Sequence, residues 1–299
     1  MMMRQPNPIS KHESRAAYGL VAPTFILMLL LLVLPTIAVF ALSLTDAELG
    51  STSFTFLGLD AYRDLLADRS FLRAFKNTFV YVGMVAPASV ILGLMLALLI
   101  EAETQARSFF RSIYFLPVVA LVVAMASVWQ YLMHPSFGPI NLFLNAIGLS
   151  SINWLGSSDN VLSALAVIGI WQAIGFNMVL FLAGLTGINR DLYAAAEMDG
   201  ARTAWSRFWV VTWPMLGPTT LFVITITVIN AVKVFETVAT LTQGGPAKAS
   251  EVLLWNIYQE GFVFLHIGTA SAMAMVFIAV LLVLLLIQTR VLEKQVHYS

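Results

Sequence analysis

Seven side chains, six of them polar and one a methionine, stand in apolar stretches where they could contact a solute. Amide, hydroxyl and charged groups exchange hydrogen bonds with a solute. Such groups are costly in hydrocarbon, so they tend to face the interior of a helix bundle. We therefore predict that a solute path contains the following residues: Gln172, Asn177, Asn230, Lys233, Glu236, Ser271 and Met273.

The same side chains also have a purely structural interpretation. Asn, Gln and Ser often join neighbouring membrane helices by hydrogen bonds, and Met fills gaps in a packed interior. Lys233 and Glu236 are three residues apart in the sequence. On one helix they would share a face, where the two charges can neutralise each other. Both interpretations stay open from the sequence.

The side chains that catalysis or metal binding would need are not grouped. The four histidines, His12, His134, His266 and His297, are scattered, and cysteine is absent. No GxxxxGK[ST] phosphate loop is present, so the chain offers no nucleotide site. We expect no catalytic residue, metal or cofactor in this chain. The formal net charge of zero gives no reason to expect a nucleic acid partner.

The elements that must position these residues are long apolar helices. Hydrophobic residues make up 59% of the chain and charged residues 11%, so it needs lipid as solvent. A spanning helix takes about 20 apolar residues. We predict an all-α polytopic fold with six transmembrane helices near 20–43, 78–100, 113–133, 161–187, 218–241 and 268–288. Residues 20–289 would form one membrane domain, with the first stretch kept as an anchor, and 1–19 and 290–299 would be tails.

Orientation follows from the cations in alternating connections. One set of connections holds ten: Arg4, Lys11, Arg15, Arg107, Arg111, Arg190, Arg202, Arg207, Arg290 and Lys294. The other set holds five: Arg63, Arg69, Arg73, Lys76 and Lys248. This bias predicts that both termini lie in the cytoplasm.

Three connections, 44–77, 134–160 and 242–267, would then lie outside. In the first of them, Leu65, Phe71 and Phe75 have helical spacing. This pattern predicts a short amphipathic helix at the membrane interface.

The cytoplasmic segment 188–214 is long and polar, and residues that end or cap helices divide it. Strong helix formers lie between Asp191 and Asp199, and Gly200 follows where a left-handed residue commonly ends a helix. Thr203 can cap a second short helix. Two short helices at a glycine bend would form a compact knob on which another protein can dock.

The run 192–201, followed by Phe208 and Pro214, resembles the EAA motif of ABC importer permeases. Other stretches resemble the sugar-permease branch of that family, which includes the maltose and glycerol-phosphate importers. They are 56–62, Asn77-Thr78, 115–117, 153–156 and 241–247. The resemblance covers nearly the whole chain from about Leu20 onward.

The resemblance implies that the knob docks into a cleft on a cytoplasmic ATPase subunit. The coupling residues carried over in this way are Ala194, Ala195, Ala196, Glu197, Asp199, Gly200 and Ala201. The family usually opens the motif with Glu, where this sequence has Ala194.

The resemblance further implies a transport subunit of a bacterial-type inner membrane, which works by alternating access and forms half of a path for a sugar-like solute. Its partners would be a second related permease, two ATPase subunits that bind ATP and magnesium, and an extracytoplasmic solute-binding protein. The alternative is a secondary transporter or another six-helix membrane protein without ATPase coupling. A secondary transporter would need coupling-ion residues at the midplane, and only Lys233 and Glu236 are candidates. The solute, neutral or anionic, stays open.

Overall fold

The computed structural model describes residues 11–102 and 106–292, and helices dominate this range. The only strand-like contact in these two ranges is an isolated bridge between Thr45 and Phe56. The predicted all-α fold is therefore confirmed. The helices are α1 (Lys11–Met28), α2 (Leu34–Leu42), α3 (Asp60–Ala67), α4 (Arg69–Ala102), α5 (Arg107–Val119), α6 (Val122–Leu132), α7 (Pro139–Ala146), α8 (Val161–Thr186), α9 (Arg190–Met198), α10 (Ala204–Arg207), α11 (Trp213–Met215), α12 (Gly217–Val232), α13 (Glu236–Leu241), α14 (Leu253–Tyr258) and α15 (Ile267–Leu292).

Five helical stretches are long and apolar enough to cross a membrane: Tyr18–Leu42, Arg69–Ala102, Val161–Thr186, Gly217–Leu241 and Ile267–Gln288. The α5–α6 pair supplies a sixth span if its two helices, bent by 98°, are counted together. This agrees with the six predicted stretches. Residues 1–10 and 293–299 of the predicted tails lie outside the described residues, whereas 11–19 and 290–292 continue the first and last helices.

Two of the six spans are broken. The third stops at Val119, because Ala120 and Leu121 are extended, with ψ of 130° and 123°. Pro117 lies just before that break and removes a helical hydrogen bond. The fifth span stops at Val232 and resumes at Glu236.

The centre of the bundle is the pair α4 and α8, against which α5 and α12 pack. Glycines allow this close approach. A β-carbon on Gly175 of α8 would come within 2.1 Å of the Tyr114 carbonyl oxygen of α5, and one on Gly93 of α4 would come within 2.7 Å of the Asn177 β-carbon. Small residues at such contacts let membrane helices pack backbone to backbone.

The short helix predicted in the first outer connection is α3, and its apolar face packs on protein. Leu65 of α3 and Phe71 of α4 are buried and belong to one cluster with Leu253 of α14 and Met273 of α15. The apolar face that the sequence pattern assigned to lipid therefore rests on protein, because α3 folds back on α4 and α15.

Candidate functional site

A cavity of about 430 Å³ opens between α4, α8 and the two broken spans. Five of the seven residues predicted for a solute path line it: Gln172, Asn177, Asn230, Lys233 and Glu236. Backbone that is not helical is tolerated at membrane depth where it lines a wet cavity. Val118 and Val122 flank the break of the third span, and both face this cavity, as does Phe235 in the break of the fifth span. Both breaks therefore meet at the same site.

The other two candidates do not line this cavity. Met273 is 1% exposed and packs with Leu65 and Phe71, and Ser271 is also buried. Both stand near the start of α15, which packs against α2, α3, α12 and α14.

Lys233 and Glu236 do not share a helical face, so that expectation is wrong. The helix ends at Val232, and Phe235 has φ −144° and ψ −57°, which turns the chain before α13 begins. Both charged side chains are exposed, and neither forms an ion pair within the described part of the chain. The Lys233 ammonium group and the Glu236 carboxylate can therefore both contact a molecule in the cavity.

Asn177 is held by its neighbours. Its Nδ2 donates to Ser89 Oγ at 3.2 Å, and its Oδ1 accepts from Thr227 Oγ1 at 2.8 Å. All three side chains are buried. The amide therefore ties α8 to α4 and α12 beside the cavity, as the structural interpretation of such residues predicts.

Sequence reasoning missed further residues of the cavity wall, among them Tyr81, Phe235 and Thr237. Tyr81 and Thr237 are buried and Phe235 is half-buried. They stand within apolar runs, where hydropathy gives them no distinguishing signal. Aromatic rings supply flat apolar faces and a hydroxyl, which suit a ring-shaped polar solute.

The knob has the predicted helix–glycine–helix structure. Gly200 has φ +99°, and its N–H donates to the Glu197 carbonyl at 3.1 Å, while the Ala201 N–H donates to the Ala196 carbonyl at 2.9 Å. These two bonds form a Schellman cap on α9. Thr203 caps α10 by accepting the Ser206 N–H at 3.1 Å.

The knob presents only part of the predicted coupling set. Ala194, Ala195, Glu197, Asp199 and Gly200 are exposed.

Ala196 and Ala201 are buried and anchor the knob in the cluster that contains Leu182 of α8 and Val223 of α12. Two exposed apolar side chains of the knob had not been predicted: Met198, which is 88% exposed, and Trp205, which is 70% exposed.

Comparison with known proteins agrees with this architecture. Residues 65–298 match the family described as the inner membrane component of binding-protein-dependent transport systems. The chain is 30% identical over 283 residues to the sn-glycerol-3-phosphate transport system permease protein UgpA of Agrobacterium fabrum, covering 94% of this chain and 96% of that protein. It is 32% identical over 269 residues to YurN of Bacillus subtilis, a probable ABC transporter permease protein, covering 89% and 92%.

Two solved structures are also similar. One is a bacterial ABC transporter that imports the acidic polysaccharide alginate, with a TM-score of 0.81 and 25% identity over 95% of this chain and 96% of that one. The other is a bacterial alginate ABC transporter in complex with its pentasaccharide-bound periplasmic protein, with a TM-score of 0.80 and 26% identity over 93% and 94%. The chain belongs to the family of inner membrane components of binding-protein-dependent transport systems, and it is a permease subunit of an ABC importer.

Proposed function

We propose that the cavity carries a sugar or sugar derivative and that Lys233 and Glu236 contact it directly. The observation that carries this proposal is the break of the fifth span, which leaves both charges in the cavity without an ion-pair partner among the described residues. Gln172 and Asn230 add amide groups on facing helices. Sugar hydroxyls both donate and accept hydrogen bonds, so such a mixture of groups suits them.

A solute with an anionic group fits this cavity best. Lys233 is not occupied by Glu236, so its ammonium group can pair with a phosphate or carboxylate. Relatives point the same way, since one is named for sn-glycerol 3-phosphate and another imports an acidic polysaccharide. The cognate binding protein identifies the solute, because its ligand can be read by mass spectrometry of what co-purifies with it.

We further propose how this chain assembles with its partners. The permease would form half of the path with a second related permease, and it would receive solute from an extracytoplasmic binding protein. The two ATPase subunits, holding ATP and magnesium, would dock on the exposed side of the knob, so this chain would hydrolyse no ATP itself. The knob and both termini would lie in the cytoplasm, as the lysine and arginine bias indicates.

Uptake into proteoliposomes tests the proposed solute class. The purified complex and its binding protein are supplied with a phosphorylated polyol, an acidic oligosaccharide or a neutral disaccharide. The proposal expects uptake of an anionic solute that is inhibited when Lys233 is replaced by Met. If the complex takes up only the neutral disaccharide, and the replacement does not affect that uptake, Lys233 does not contact the solute.

A further inference from the structure

Two sequence motifs that lie far apart in the chain meet at the start of α4. Asn77 and Ala249 are 172 residues apart, yet the Asn77 Nδ2 donates to the Ala249 carbonyl at 3.1 Å and to the Glu251 carbonyl at 2.9 Å. Next to it, Thr78 Oγ1 accepts the buried N–H of Leu253 at 2.9 Å. The Asn77 bonds fasten residues 242–252, here called the outer loop, to α4, and the Thr78 bond fastens the first residue of α14, which follows that loop directly.

A second pair of contacts comes from the same face of α4, one and two turns earlier. The Arg73 guanidinium donates to the Ala247 carbonyl at 3.0 Å, and Ser70 Oγ donates to the Glu251 carboxylate at 3.1 Å. Lys248 completes the arrangement, because its Nζ lies 2.7 Å from Ser70 Oγ and 3.5 Å from the other oxygen of Glu251. Glu251 is only 4% exposed, so this carboxylate is buried, whereas Ser70 is half-buried and Lys248 is exposed.

The outer loop is also strained and fastened to α13. Gln243, Ala247 and Lys248 have φ of 49°, 48° and 64°, which residues with a β-carbon rarely adopt. Such conformations persist where the surroundings fix them. The Gln243 N–H donates to the Val238 carbonyl of α13 at 2.7 Å, and Ser250 Oγ donates to Thr242 Oγ1 at 2.8 Å. The outer loop and α13 therefore form one braced unit attached to α4.

This unit ends where the cavity begins. α13 starts at Glu236, and residues 233–235 separate it from α12. α13 packs on α6, whereas α12 packs on α4, α8 and α15. The non-helical residues between them can change their angles without breaking a helix, as hinges do.

We propose that Asn77 and Thr78 are positioning residues of the transport cycle. They hold the outer loop and α13 on α4 throughout the cycle, so the fifth span changes its shape at residues 233–235, and Lys233 moves relative to Glu236. The proposal rests on the proposed transport through this cavity. It assigns a role to two motifs that contact neither the cavity nor the knob.

The first test weakens the attachment by removing the Asn77 amide. Asn77→Ala takes away the amide contacts with the Lys248, Ala249 and Glu251 carbonyls. Lys76→Ala, at the exposed neighbouring position, is its matched control. We expect the Asn77 variant to assemble with wild-type subunit stoichiometry and to lose uptake by about tenfold or more, since misplaced groups cost that much. ATP hydrolysis stimulated by the binding protein should persist, so more ATP is used per solute imported. A defect of assembly alone would lower both rates together.

The second test restores the attachment covalently. Because the chain has no cysteine, Asn77→Cys with Ala249→Cys gives a single reactive pair. It is oxidised directly or bridged with a short bis-methanethiosulfonate reagent, and thiol titration measures the fraction linked. Uptake should be low in the reduced complex and should rise toward the wild-type rate once the pair is linked. If Asn77→Ala fails to assemble, the double cysteine variant still tests the proposal.

Three results would overturn the proposal. Wild-type uptake in the reduced double variant would show that the attachment is dispensable. Blocked uptake in the linked complex would show that the outer loop must leave α4 during transport, and failure of both reagents to link the pair would contradict the contact itself. The proposed function is judged separately, by uptake in the wild-type complex and by the Lys233 variant.

Discussion

At the residue scale, Lys233 is a cation in the cavity without an ion-pair partner among the described residues. Replacing it with Met keeps the apolar stem and removes the charge. A hydrogen bond to a charged group contributes about 1.5–3 kcal/mol, so we expect uptake of an anionic solute to fall about 10- to 100-fold. Initial uptake rates of the assembled complex measure this. The control variant Lys76→Met, at an exposed position outside the cavity, should transport normally. Normal transport by the Lys233 variant would exclude Lys233 as a solute contact.

Gly200 gives the second prediction at this scale, because its φ of +99° is left-handed and no atom lies within 4 Å of a β-carbon placed there. The cost of a side chain is therefore conformational, about 1–2 kcal/mol, and larger for a β-branched residue. Gly200→Val should insert normally and reduce ATP-dependent uptake about 5- to 30-fold, the change in population that such an energy gives. Gly200→Asn is the matched control, since Asn tolerates this conformation. Equal uptake by the two variants would contradict the role of the bend.

At the scale of the elements, the contact between α5 and α8 depends on Gly175. A methyl group there would press on the Tyr114 backbone, whereas Gly83 in α4 has no atom within 4 Å of an added β-carbon. Gly175→Ala should cost about 1–3 kcal/mol by overpacking. Gly83→Ala should be neutral or stabilising by about 0.5–1 kcal/mol, because alanine favours a helix. The midpoint of thermal aggregation of the purified complex compares the two, and an unchanged midpoint for Gly175→Ala would show that α5 can move away freely.

Local sequence signals predicted some of these elements and missed others. Apolar length predicted the spans, and helix formers followed by Gly200 and Thr203 predicted the knob, because those signals are local. The break after Val232 was not predicted, since Lys233, Val234 and Phe235 lie inside an apolar run that hydropathy averages over. The sequence also could not show that Met273 is buried against α3 and not exposed to the cavity, because α3 comes from a distant part of the chain.

At the scale of the whole molecule, the buried cluster that holds the knob borders the residues of the cavity wall. Ala196 and Ala201 of the knob belong to the same buried cluster as Met178 of α8 and Val223 of α12. Met178 follows Asn177 directly, and Val223 stands one turn before Thr227, which bonds that amide. Closely packed interiors transmit displacement, so a movement of the knob reaches the cavity wall through contacts within this chain. This is the physical basis that we propose for coupling.

The most direct test of this account is solute uptake by proteoliposomes that contain the permease, its partner permease and the ATPase subunits, with the loaded binding protein outside. The account predicts that the solute accumulates only when ATP and the binding protein are both present, and that accumulation continues when ionophores abolish the ion gradients. Accumulation that proceeds without ATP and stops when the ion gradients collapse would contradict it, and would indicate a secondary transporter built on this fold.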